Sequence, residues 1–203
     1  MLEAKLVTAN GFAFSLMTEF IENTDPQADK QDCELKAFYR LSERVKARFP
    51  HLPICLLLDG LFAGGPTFQL CQEYDWRYLI TLQDADLPQV HRTYHLVLSQ
   101  TPENHKQIRL GQQQEITQDY HWARQIDYRD SQERHHALNV LICEETNPTC
   151  QSETPTTFKW LTNFIPTARK VDTLANQAGR LRWKVENEGF NIQKNGGFHL
   201  ESS

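Results

Sequence analysis

Ile54-Cys55-Leu56-Leu57-Leu58-Asp59-Gly60 is the stretch on which the fold turns. An unbroken apolar run bounded by Pro53 and Gly60 reads as a strand buried on both faces, the pattern of a parallel strand inside an α/β sheet. Asp59 falls at the C-terminal end of that run, which is where open α/β sheets hold their ligands. Asp-Gly is also a common turn dipeptide, because aspartate bonds its own backbone and glycine turns without steric cost. Both readings of Asp59 stand on the sequence. Gly60, Gly64, Gly65 and Pro66 form the exit from the strand. A helix near 67–75 and a strand near Trp76–Thr81 follow, and this strand–helix–strand order predicts a parallel pair.

Upstream, Leu2, Ala4 and Leu6 alternate with Glu3 and Lys5, and Phe12, Phe14, Leu16 and Phe20 continue the alternation beyond Asn10-Gly11. Asn-Gly between alternating runs predicts a hairpin, since a type I′ turn needs positive φ at both central residues. After a polar loop over Glu22–Asp32, Leu35, Phe38, Leu41 and Val45 recur at helical spacing, so an amphipathic helix is expected over 33–48.

Downstream, residues 84–157 are rich in Gln, His and Thr, with short β-like pieces at Arg92–Leu98, Gln107–Leu110, Trp122–Tyr128 and Ala137–Cys143. This segment reads as an inserted β-rich subdomain closed by a loop over Glu144–Thr157. Phe158–Thr162 reads as a short strand. A last helix is expected from about 170 to 188, with Val171, Leu174, Ala178, Leu181 and Val185 on one face. The fold class that results is α/β.

The chain has 203 residues and a formal charge of −5, so it lacks the overall basic balance of many DNA binders, and any basic surface is local. Its five cysteines are scattered without a CxxC pair, which argues against a zinc ribbon and fits a reducing, cytoplasmic setting. Cys33 and Cys55 are expected to be small buried hydrophobes. No apolar run approaches the roughly 18 residues that span a bilayer, and no membrane partner is expected.

The chemistry concentrates in Gly179-Arg180-Leu181-Arg182-Trp183-Lys184-Val185-Glu186 on the last helix. Arg182 and Glu186, four apart, share a helix face, which by itself is an ordinary surface ion pair. Joined to Asp59, however, Glu186 gives a second carboxylate able to share one divalent metal ion, the arrangement of phosphodiester chemistry. Arg180, Arg182, Lys184 and Lys194 supply cations for phosphates, and Trp183 packs or stacks on a base. Glu3 and Glu19 are candidates for a third acid, but each reads as a solvated strand residue. His135-His136 cannot readily chelate one ion, because adjacent strand residues point to opposite faces.

Taken together, Leu2–Val7, Lys30-Gln31-Asp32-Cys33-Glu34-Leu35-Lys36-Ala37, Leu57–Leu61, Phe158-Lys159-Trp160-Leu161-Thr162-Asn163 and the run from Gly179 through Glu186-Asn187-Glu188-Gly189-Phe190-Asn191 resemble bacterial insertion-sequence DDE transposases over nearly the whole chain. The resemblance implies an RNase H-like mixed sheet lacking its first strand. Residues 1–83 form the first part of the core, 84–157 a β-rich insertion, and 158–203 the C-terminal strand and catalytic helix. It implies DNA strand cleavage and transfer at transposon ends with Mg²⁺, for which Mn²⁺ substitutes. Asp59 takes the place of the family's second Asp, Glu186 that of its Glu, and Arg182 that of the motif arginine. The implied partners are transposon-end and target DNA and another transposase protomer, in the cytoplasm at the nucleoid.

Three departures qualify the match. Gly179 stands where the motif has Tyr. Lys194 lies one residue later than the usual spacing, which keeps Glu188 open beside Glu186. The family's first Asp precedes the opening hairpin, so the chain reads as a transposase fragment clipped at both ends, catalytically incomplete and marginally stable. The alternative is a non-catalytic remnant that binds DNA or pairs with a transposase.

Overall fold

A computed structural model of the chain describes residues 1–8, 12–21, 30–112, 115–148 and 154–182. Met1–Pro53 belong to one compact unit, with Arg180–Arg182 grouped with them, and Ile54–Gly179 form another.

In the first unit, β1 (Leu2–Val7) pairs antiparallel with β2 (Ala13–Glu19), from Leu2 opposite Glu19 to Val7 opposite Ala13. The strands pair as the alternation predicts. The turn residues Asn10 and Gly11 lie outside the described residues. The pair forms a sheet of its own. The helix α1 (Lys30–Arg48) buries Cys33, Ala37, Phe38, Leu41 and Val45, a stripe built on four-residue spacing. Leu35, expected on that stripe, is half-buried at its margin. Glu19 is held by α1 through Arg40 Nε (3.1 Å) and Arg44 Nη1 (2.7 Å), and these two cations keep its carboxyl below the usual range, Arg44 having the larger effect. Glu19 is therefore an ion-pair carboxylate.

The second unit is built on one mixed sheet in the order β3-β4-β8-β7-β6-β5. Its strands are β3 (Cys55–Leu58), β4 (Arg77–Thr81), β5 (His105–Leu110), β6 (Ile116–Arg129), β7 (His135–Thr146) and β8 (Thr156–Thr162). β3 and β4 are parallel and joined through α2 (Gly65–Glu73), as the strand–helix–strand order predicts. The remaining pairings are antiparallel. The chain is thus mixed α/β. β5, β6 and β7, which the sequence suggests as an inserted subdomain, share this sheet with β3, β4 and β8. β6 and β7 run well beyond their expected cores, and β7 and β8 extend into the expected loop at both of its ends.

Two sequence readings need correction. Arg92–Leu98 is helical, inside α3 (Pro88–Gln100). Its β-forming Thr93, Tyr94 and Val97 suggest a strand, but Pro88 starts a helix and Val90 and Tyr94, four apart, are the buried pair. β3 is the edge strand of this sheet and is only half-buried, with Cys55 exposed. Its apolar run signals two covered faces, whereas Leu56, Leu57 and Leu58 are each only half-buried, and strand order leaves one edge without a ladder partner among the described residues.

Trp160, Trp122, Tyr120, Leu141, Cys143 and Leu79 form the core of one sheet face, covered by Val171 and Ala175. These last two come from α4 (Val171–Leu174) and the π-helical turn Ala175–Gly179 that continues it. The buried positions are Val171, Ala175 and Gly179, while Leu174 and Ala178 lie at the margin. Gly179 lies directly on the Trp160 indole: a Cβ there would stand 2.7 Å from Nε1. A tyrosine, which the resemblance puts at this position, has no room.

Two amide side chains, Asn139 buried and Asn163 half-buried, and the buried Thr162 hydroxyl lock the middle strands. Asn163 Oδ1 accepts from Tyr78 N (3.1 Å) and its Nδ2 donates to Trp76 O (2.9 Å), continuing the β4 edge where β8 ends. Thr162 Oγ1 donates to Tyr78 O at 2.7 Å and accepts from Phe164 N at 3.0 Å. Asn139 Oδ1 accepts from Gln125 N (3.0 Å), inside a bulge where Gln125 has φ 56°. Its Nδ2 donates to Thr162 O (3.3 Å) and Phe164 O (2.9 Å).

Candidate functional site

Asp59 follows β3 and has extended backbone angles, φ −86° and ψ 176°. Its Oδ1 accepts from Leu61 N at 3.1 Å and so caps the 3₁₀ turn Gly60–Phe62. The turn reading of the Asp-Gly pair is therefore realised, and the carboxylate is fixed at the C-terminal end of a parallel strand by the same bond.

Beneath it, Gly60 is packed against the end of β4. A Cβ at Gly60 would overlap Asp86 Oδ2 and stand 3.3 Å from Thr81 O. Any side chain at Gly60 would push the Asp86 carboxylate aside and crowd the Thr81 carbonyl, so glycine suits this approach of the turn after β3 to the loop after β4. Asp86 Oδ2 also accepts from Gln83 N at 2.9 Å, which orients its carboxylate. Asp84, on the same loop, pairs with Lys159 of β8. The Lys159 hydrogen bond is the largest effect on Asp84 and lowers its pKa, while Asp84 in turn raises that of Lys159. The two parallel strands thus end on Asp59 and on Asp84 and Asp86. The last two are not among the sequence-derived candidates, although the strand-end rule that selects Asp59 applies equally to the residues after β4.

Of the basic candidates, Arg180 and Arg182 are half-buried and belong to the first unit, whereas Asp59 belongs to the second. Trp183, Lys184, Glu186, Glu188 and Lys194 lie outside the described residues.

The adjacent histidines diverge as strand geometry requires. His135 is exposed and bonds Asp127 Oδ1 (3.0 Å), while His136 is buried and bonds Asp130 Oδ2 (3.0 Å). Asp130 also accepts from Gln132 N, Arg134 N and Arg134 Nε at 2.8–2.9 Å. Burial pushes the Asp130 carboxyl up, but these donors, His136 foremost, outweigh it and hold the group far below the usual range. Gly65, the first residue of α2, is packed so closely on Asp130 that a Cβ would overlap it. The carboxylate therefore also meets the positive end of a helix. It is a structural hub for the β6–β7 turn.

No helix among the described residues is long and apolar enough to cross a membrane. No protein-family model matches the chain, and no curated protein matches it.

Proposed function

We propose that this chain is part of a DDE-type DNA transposase with an RNase H-like catalytic core, in which Asp59 is one carboxylate ligand for Mg²⁺ and Glu186 another. The observation that carries the reading is the placement of Asp59: a capped carboxylate at the C-terminal end of one of two parallel strands, with Asp86 beside its turn. The donor set fits the ion, because Mg²⁺ takes hard oxygen ligands and is commonly held by one or two carboxylates. When bound, Mg²⁺ or Mn²⁺ supplies an activated oxygen nucleophile and charge neutralisation at the leaving oxygen.

The protein's own contributions follow from its residues. The Leu61 N–H fixes the Asp59 carboxylate before any substrate arrives. Arg180, Arg182, Lys184 and Lys194 neutralise phosphates, and Trp183 stacks on a base or simply packs. The mixed sheet with its parallel pair is compatible with the RNase H-like arrangement.

The test joins two readouts on one DNA, for this chain and for one extended upstream to supply the family's first Asp: duplex binding at increasing salt, and nicking that requires Mg²⁺ or Mn²⁺, expected in the extended chain. Nicking lost in Asp59→Asn and in Glu186→Gln, with binding retained, supports the catalytic reading. Binding without any metal-dependent nicking, unchanged in both variants, favours the non-catalytic DNA-binding alternative. Nicking that survives both substitutions overturns the assignment.

A further inference from the structure

The hairpin of β5 and β6 carries a second set of metal-type ligands made of nitrogen as well as oxygen. Trp122 N donates to Asn104 O at 3.3 Å, and these two residues flank the directly opposed pair His105 and His121. In an antiparallel ladder, hydrogen-bonded and non-hydrogen-bonded pairs alternate. His105/His121 is therefore a non-hydrogen-bonded pair, and so is Gln107/Asp119 two positions on. Side chains approach most closely at such pairs, and all four residues point to the same face. The two imidazoles stack with centroids 4.8 Å apart and 29° between planes. His105 Nε2 bonds Asp119 Oδ1, and Gln107 Nε2 donates to Asp119 Oδ2 at 2.8 Å.

The geometry points to a site for a divalent transition-metal ion of the zinc class, with His105, Asp119 and His121 as ligands and Gln107 orienting the carboxylate. One ligand atom from each of the three lies within 4.8 Å of the other two. Tetrahedral zinc with bonds of about 2.1 Å spaces its ligand atoms about 3.4 Å apart, so small side-chain rotations close the set. His105 and Asp119 are 43% and 30% exposed, which gives the ion a path from solvent. Imidazole donors select zinc, cobalt, nickel or copper over magnesium, so this site is chemically distinct from the all-carboxylate one at Asp59. Three protein ligands leave a coordination position for water or a further ligand. The chain holds its own comparison: His135 pairs with Asp127 in the same chemistry but has Arg129 Nε at 3.4 Å on its other nitrogen, where a metal site would need a further ligand.

The test is Co²⁺ titration of the untagged full chain in excess Mg²⁺, which keeps Co²⁺ off the carboxylate site at Asp59, followed by visible absorption and by Zn²⁺ displacement. One Co²⁺ per chain is expected, displaced stoichiometrically by Zn²⁺. His105→Ala and His121→Ala should each abolish the band, Gln107→Ala should weaken binding about tenfold, and His135→Ala should leave it unchanged. Absence of a stoichiometric Co²⁺ complex overturns the proposal, as does a complex that survives His105→Ala together with His121→Ala. Should a variant fail to fold, imidazole ¹⁵N shifts of the wild-type chain decide: of the eight histidines, His105 and His121 should move on adding Zn²⁺. Shifts confined to other histidines overturn the proposal equally.

Discussion

Replacing Asp59 with asparagine keeps its hydrogen bond and removes its charge, whereas alanine removes both. The structure assigns separate magnitudes to the two losses. Asp59 Oδ1 accepts from Leu61 N at 3.1 Å, and asparagine caps as well as aspartate. Folding stability should therefore change by less than about 0.5 kcal/mol in Asp59→Asn and fall by about 1 kcal/mol in Asp59→Ala. A metal ligand is a different matter. Metal coordination is worth several kcal/mol at the transition state, and at 1.4 kcal/mol per tenfold this amounts to about 10²–10³ in rate. In the chain extended upstream to supply the first Asp, both variants should lose metal-dependent nicking to that extent, although only one loses stability. Urea denaturation followed by tryptophan fluorescence reads the first quantity, since Trp76, Trp122 and Trp160 are buried in the unit that contains Asp59. Nicking of duplex DNA reads the second. Equal destabilisation by both substitutions would refute the capping argument. Wild-type nicking in Asp59→Asn would refute Asp59 as a ligand.

Three further substitutions test the scaffold. Asn139→Ala strands the Gln125 N–H and removes a donor from Thr162 O and Phe164 O, so a loss of about 2–4 kcal/mol in urea stability is expected. Gly179→Ala sets a helix-propensity gain of about 1 kcal/mol against overlap with an indole that is 3% exposed and cannot retreat. Overpacking of about 1–3 kcal/mol should win and lower the melting temperature, whereas a rise would mean that Trp160 yields. Asp130 has a folded pKa held below its unfolded value near 3.9, so its stabilisation is fully present above about pH 4 and is lost as pH falls toward the folded value. Asp130→Asn should lower the melting temperature at neutral pH and flatten its fall below about pH 4. An unchanged acid limb would remove Asp130 as its cause.

What the sequence made legible is what period and local chemistry decide. The α1 stripe, the opening strand pair and the β3–α2–β4 order all follow from spacing and breakers within a few residues of one another. Where composition and period disagree, period wins: Thr93, Tyr94 and Val97 favour strands individually, yet Val90 and Tyr94 one turn apart set α3. Strand order is not legible in Ile54–Leu58 itself, because nothing there encodes whether one or two strands flank it; only the resemblance, with its missing first strand, implies an open side. An apolar run is the same sequence at an edge and at a centre, and β3 proved to be an edge.

The same limit separates the two candidate sites. Asp59 could be found because its signal is local, an acid directly after an apolar run. Asp86 joins it only through the parallel register that sets the ends of β3 and β4 together, and that register is a tertiary fact. His105 and His121 are farther from sequence reasoning still. Whether two histidines sixteen residues apart face each other depends on the hairpin register, and a slip of one residue would turn the His121 and Asp119 side chains to the opposite face of the sheet. The hydrogen bond from Trp122 N to Asn104 O fixes that register and places both histidines at a close-approach pair. A shift of register should therefore destroy zinc-class binding with every ligand still present. Deleting one residue between Leu110 and Ile116 would test this where amide exchange shows the Trp122 N–H bond to Asn104 O lost, and undiminished Co²⁺ binding in that shifted variant would show that the ligands do not meet through the strand pairing.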